Sequence, residues 1–120
     1  MNRRICLALD LVNDAALIDS YVRMHEPGAV RPAVINHIRA QGVLEMEIWQ
    51  RGDRLFMIIE AADDYPRRLA GAATLAENDR WESLMETFQR PLPGSDPDQK
   101  WSPMQRIFCL ADHAPAPPRS

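Results

Sequence analysis

Tyr21-Val22-Arg23-Met24-His25-Glu26-Pro27 sets a histidine into the apolar side of an amphipathic segment. At 3.6 residues per turn, Leu17, Ile18, Tyr21, Val22, Met24 and His25 share one arc of a helical wheel, with Asp19, Ser20, Arg23 and Glu26 opposite. His25 is therefore aimed inward, with the Tyr21 hydroxyl one turn before it. A side chain of this type changes charge near neutral pH, and beside a phenol in a mostly dry setting it can exchange a proton with a bound molecule. The same pattern also suits a core histidine bonded to backbone, so the remainder of the chain has to decide.

The elements that would position this pair are readable from periodicity. Ile5, Leu7, Leu9 and Leu11 alternate with Arg4, Cys6, Ala8 and Asp10, the pattern of a half-buried strand. Asn13 or Asp14 can cap a helix running to about Glu26, which Pro27-Gly28 breaks. A second helix is expected from Pro32, with Val34, Ile35, Ile38 and Ala40 inward and Gly42 closing it. Val43 to Trp49 alternates again, with Leu44, Met46 and Ile48 on one face and Glu45, Glu47 and Trp49 on the other. Gln50-Arg51-Gly52-Asp53 reads as the turn of a hairpin returning along Arg54 to Ala61.

Asp64 to about Leu75 is weakly helical. Glu77 to Gln89 is strongly so, with Trp81, Leu84, Met85 and Phe88 recurring at helical spacing. Residues 91–100 form a loop, and Gln105 to Ala111 reads as a last strand. The order strand, helix pair, strand, strand, helix or helices, strand is that of a ferredoxin-like α+β fold, an antiparallel sheet with helices on one face. Its other face carries enough apolar residues to expect a second copy packed against it.

Bulk properties narrow the function. A chain of 120 residues suits one domain, expected over 1–112, with a proline-rich disordered tail over 113–120. The net charge of -3 and the lack of a basic stripe argue against nucleic acid. Apolar runs such as Leu55 to Ile59 are too short to span a bilayer, and Met1-Asn2-Arg3-Arg4 leads into a strand rather than a signal peptide. Cys6 and Cys109 are expected as buried reduced thiols in a cytoplasmic protein, and no cluster has metal-ligand spacing. Arg51-Gly52-Asp53 matches an adhesion tripeptide by letters only and is a turn. His37 and His113 have no partner pattern.

An ordered set of segments resembles the L-rhamnose mutarotase family. It comprises Tyr21-x-x-x-His25-x-Pro27, Met46-Glu47-Ile48-Trp49, Gly52-Asp53-Arg54-Leu55-Phe56-Met57-Ile58, Trp81-Glu82-x-Leu84-Met85 and Met104-x-Arg106-Ile107-Phe108-x-Leu110. The likeness runs from about Arg4 to Leu110 and is nearest to the L-fucose branch. It implies a homodimeric α+β barrel that interconverts the α and β anomers of a monosaccharide without metal or cofactor. It further implies His25 as the catalytic histidine, and Tyr21, Trp81 and the strand position Met46 as sugar-binding. Where the family has a second tryptophan and a tyrosine, this chain has Glu82 and Met46. Where the family has Trp-Pro-Glu, it has Arg31-Pro32-Ala33. If the missing carboxylate orients the histidine, another group or water must do so here.

Two other readings remain open at this level. One keeps the barrel but assigns cofactor-free oxygenation or isomerisation of an aromatic substrate in a pocket poor in hydroxyl partners. The other is a ligand-binding domain without catalysis.

Overall fold

The computed structural model describes residues 3–67, 72–96 and 99–115. Strand β1 (Arg3–Leu11) is followed by helices α1 (Ala15–Met24) and α2 (Pro32–Ala40), strands β2 (Val43–Arg51) and β3 (Arg54–Ala61), and helix α3 (Ala72–Glu86). Two short strands, β4 (Gln89–Arg90) and β5 (Ser102–Pro103), and a 3-10 turn at Leu110–Asp112 complete it. The antiparallel sheet runs β2-β3-β1-β4, with β5 also pairing β1. The ferredoxin-like α+β arrangement is therefore present.

Local chemistry starts each element. The Asp14 carboxylate accepts the Leu17 backbone N–H at 3.0 Å, capping α1. Pro32 occupies the first turn of α2, where its missing N–H would have no helical partner. Gly42 then reverses the chain into β2 with φ 103°, a conformation that side-chain-bearing residues avoid. Gly52-Asp53 makes the expected hairpin, since Arg51 pairs with Arg54.

The helices cover the sheet face carrying Ile5, Leu7, Leu11, Leu55, Met57 and Ile59. That face builds two separate clusters. One joins Leu11, Tyr21, Leu55, Met85 and Phe88; the other joins Val43, Ile59 and Ala61, with Ile38, Met46, Met57 and Tyr65 packed against it. The opposite face bears half-buried Phe56 and Ile58 and exposed Trp49. Asp10 is buried there and receives Arg54 at 2.8 and 3.3 Å, so the carboxylate keeps a charged partner.

Four expectations change. Between Val43 and Glu45 the register slips by one residue, so Leu44 bulges out to 47% exposure and Val43 takes its place beside Met46 and Ile48. The weak helix from Asp64 is not helical over 64–67, where Asp63 and Asp64 form a turn; residues 68–71 lie outside the described residues and α3 runs on from Ala72. The strong helix ends at Glu86, and Gln89 lies in β4 opposite Leu11. Last, the strand expected over Gln105 to Ala111 is absent: pairing with β1 stops at Pro103, and Ile107, Phe108 and Leu110 are 92%, 63% and 76% exposed. Among the described residues this segment pairs with no strand, and its apolar side chains stand at the surface.

Cys6 and Cys109 are free and half-buried rather than fully buried. No helix among the described residues is long and apolar enough to cross a membrane. The tail expected over 113–120 falls mainly on residues 116–120, outside the described residues; 113–115 are exposed.

Leu55, 1% exposed, joins β3 to the first cluster. Leu55→Ala is expected to lower unfolding free energy by about 2–5 kcal/mol, seen as a lower denaturant midpoint with unchanged slope. A loss well below about 1 kcal/mol would show that the helices do not close over this face.

Candidate active site

Helix α1 ends one turn after Tyr21, and the manner of its ending sets the site. His25 backbone N–H bonds to the Val22 carbonyl at 3.1 Å, so the Tyr21 carbonyl loses its usual helical donor. The His25 imidazole supplies one instead: Nδ1 lies 2.6 Å from that oxygen. A carbonyl can only accept, so Nδ1 carries the proton and Nε2 is the nitrogen left for chemistry. The orienting group is thus backbone, not the carboxylate absent at Ala33.

Two rings flank the imidazole. Tyr21 lies 4.4 Å away between centroids, and Trp81 of α3 meets it edge-on at 5.3 Å. Tyr21 is 3% exposed, and Phe88 packs edge-on against its ring at 6.0 Å. The Gln89 amide donates to its hydroxyl at 3.3 Å. Burial pushes the Tyr21 phenol above its ordinary range; the Gln89 bond opposes this, and the Glu82 charge adds to it. The phenol is therefore neutral at physiological pH.

All four residues expected at the site, Tyr21, His25, Met46 and Trp81, line one cavity of about 490 Å³ between the two core clusters. That volume suits a small molecule. Leu7, Met46, Ile48, Met57 and Ile59 make an apolar floor on the sheet, while polar groups stand on the walls. Sequence reasoning missed most of those: Gln41, Asn78, Glu82, Gln89 and the deeply buried His37. Helical spacing from Val34 and Ile38 could have found His37 and Gln41. Nothing in the sequence pointed to Gln89, because β4 has no pattern of its own.

Glu82 is the one carboxylate among the described lining residues, and Lys100 holds it at 2.8 Å. Gln41 Nε2 lies 2.8 Å from His37 Nε2, so that imidazole nitrogen accepts and is not free for a ligand. Arg31 is elsewhere. It pairs with Glu77 at 3.2 Å, Arg80 joins the same carboxylate at 3.0 Å, and all three line a second cleft behind Trp81. Among the described residues, no three His, Cys, Asp or Glu side chains come together to hold a metal ion.

The model of the L-rhamnose mutarotase family matches residues 4–110. The chain belongs to that family. An L-fucose mutarotase of Xanthomonas campestris is 44% identical over 113 residues, covering 92% of this chain and 90% of the relative. A UPF0734 protein of Dictyostelium discoideum is 31% identical over 109 residues, covering 86% of each. The crystal structure of an L-rhamnose mutarotase from Formosa agariphila superposes with a TM-score of 0.64 over 90% of this chain and 98% of its own. At 17% identity that likeness concerns the fold. In this chain Tyr21, His25 and Trp81 form one contiguous wall of the cavity.

Tyr21 and Tyr65 are the two tyrosines of the chain. In a Tyr65→Phe background, phenolate absorbance is expected to show Tyr21 titrating above the ordinary value of about 10, and Glu82→Gln is expected to lower that midpoint. Because the folded value exceeds the unfolded one, stability falls as pH rises from about 10 through the Tyr21 midpoint. A midpoint at or below the ordinary value would contradict the buried phenol.

Proposed function

We propose that the chain is an aldose mutarotase acting on a 6-deoxy-hexose, with L-fucose favoured over L-rhamnose. The observation that carries the reading is the cavity-lining histidine, held through Nδ1 so that Nε2 is left for the sugar. The 44% identical relative named as an L-fucose mutarotase supports the choice of sugar. The apolar floor suits the C–H face and methyl group of a deoxy sugar, and the polar walls suit its hydroxyls. An aromatic oxygenation substrate would suit a pocket poor in partners for hydroxyls, whereas these walls carry Asn78, Glu82 and Gln89.

Anomerisation needs little of the protein beyond two proton transfers. A proton reaches the ring oxygen, another leaves the anomeric hydroxyl, the C1–O5 bond breaks and the C1 carbonyl forms. Rotation about C1–C2 and reclosure on the other carbonyl face give the second anomer, with no net change in protons. His25 Nε2 handles one transfer, and water or a neighbouring side chain the other. The Nδ1–H bond to the Tyr21 carbonyl persists whether the imidazole is neutral or charged, so the ring need not turn during the cycle. Tyr21 bonds a sugar hydroxyl or the ring oxygen, the Trp81 face stacks on apolar C–H groups, and Met46 contacts the sugar from the floor.

We further infer that the chain works as a homodimer in the cytoplasm. The outer sheet face with Phe56, Ile58 and Trp49, and the exposed Ile107, Phe108 and Leu110, offer apolar surface for a second copy. Two free cysteines suit a reducing compartment.

Saturation-transfer NMR of anomeric exchange on L-fucose and L-rhamnose tests the reaction. The wild-type chain is expected to accelerate exchange, fucose more than rhamnose, and His25→Ala to reduce it about a hundredfold or more. Near-normal turnover in His25→Ala would remove that residue from the mechanism; acceleration of neither sugar would overturn the reading. Sedimentation velocity is expected to give a dimer, with Ile107→Asp/Phe108→Asp shifting it toward monomer. A wild-type monomer would remove the dimer.

A further inference from the structure

We propose that Gln89 is a positioning residue of this site, fixing which way the Tyr21 hydroxyl donates. The proposal rests on the mutarotase reading and adds a residue to it. Gln89 opens β4, paired with Leu11 of β1, so its side chain is carried on the sheet edge rather than on a helix. From there it lines the cavity, and its Nε2 donates to the Tyr21 hydroxyl at 3.3 Å.

A phenol has one proton and an oxygen that can accept. With the oxygen receiving the amide N–H, the proton has to be given elsewhere. None of the hydrogen bonds among the described residues takes it, and Tyr21 lines the cavity. The remaining direction is toward the sugar, where an O–H donor strengthens as charge develops on the ring oxygen or a hydroxyl. Because burial keeps the phenol neutral, that proton is present throughout the working pH range.

The other end of the amide agrees. Gln89 Oε1 is buried and has no partner among the described residues. A buried unpaired acceptor is costly, and its retention calls for a reason. Turning the amide over would let Oε1 accept the phenol proton, but it would bury two N–H donors and leave Tyr21 nothing to donate. The orientation that leaves Oε1 unpaired is the one that frees the Tyr21 proton.

Four variants decide it: Gln89→Glu, Gln89→Leu, Tyr21→Phe and Tyr21→Phe/Gln89→Glu. Each is assayed for anomeric exchange on the sugar that wild type accelerates, and for sugar binding through tryptophan fluorescence. Ionised glutamate is acceptor-only, so it captures the phenol proton. Gln89→Glu is expected to lose about ten- to a hundredfold in kcat, matching Tyr21→Phe, with the double variant no worse. Leucine supplies no acceptor, so Gln89→Leu is expected to lose less. Protonated glutamate can donate as glutamine does, so Gln89→Glu is expected to regain activity as pH falls, an acid limb absent from wild type.

A merely structural role predicts milder loss in the polar isostere than in Gln89→Leu, and no acid limb. Either result, or losses that add to that of Tyr21→Phe, overturns the proposal. Wild type that accelerates neither sugar sinks the mutarotase reading and the proposal with it; active wild type with the reversed order of variants sinks the proposal alone.

Discussion

The hydrogen bond from His25 Nδ1–H to the Tyr21 carbonyl is the constraint on which the site depends. It exists because α1 stops where it does. A longer helix would return that carbonyl to a backbone N–H, free the imidazole to rotate and leave its tautomer undecided. Pro27, with no N–H to give, and Gly28 at φ 85° end the helix one turn after Tyr21. A helix terminus thereby fixes the imidazole tautomer and leaves Nε2 outside that bond.

The cavity follows from a second constraint, the division of the core. The sheet turns a single apolar face toward three helices, yet Leu11, Leu55 and Phe88 pack at one end and Val43, Ile59 and Ala61 at the other. Between them the floor stays apolar and the space stays open. Leaving such a space unfilled costs stability, since lining side chains lose partners on one side. The β-bulge at Leu44 contributes here: it turns Leu44 outward and places Val43 in the lining with Met46 and Ile48.

Much of this was legible, and the failures have causes. Period-two alternation gave β1 and the hairpin, and Asp14, Pro32 and Gly42 marked helix ends by chemistry that needs no tertiary context. The Tyr21 and His25 pair stood out because their helical spacing joined a phenol to an imidazole on an apolar arc. Gln89 did not, since a two-residue strand has no periodicity and its register is dictated by Leu11 opposite. Leu44 misled because one inserted residue exchanges the faces of a strand. The segment after Met104 has the letters of a strand, but β1 releases it after the Met104 N–H bond to the Cys6 carbonyl at 2.8 Å. Apolar letters do not make a strand without a ladder partner, and beyond Met104 none is present among the described residues.

Arg31-Pro32-Ala33, where the resemblance implies Trp-Pro-Glu, looks at sequence level like the loss of a support for His25. The geometry separates two effects of that change. Arg31 does not line the cavity of Tyr21 and His25; it ties the start of α2 to Glu77 of α3, and Arg80 adds a second cation to the same half-buried carboxylate. That bracket sits behind Trp81 and steadies the wall His25 faces, though each exposed arm is worth little alone. Ala33 removes a carboxylate, yet the acceptor that fixes His25 is a main-chain oxygen. No substitution at residue 33 can delete it, and only a change in where α1 ends would. The departure therefore leaves untouched the main-chain contact that fixes the His25 tautomer.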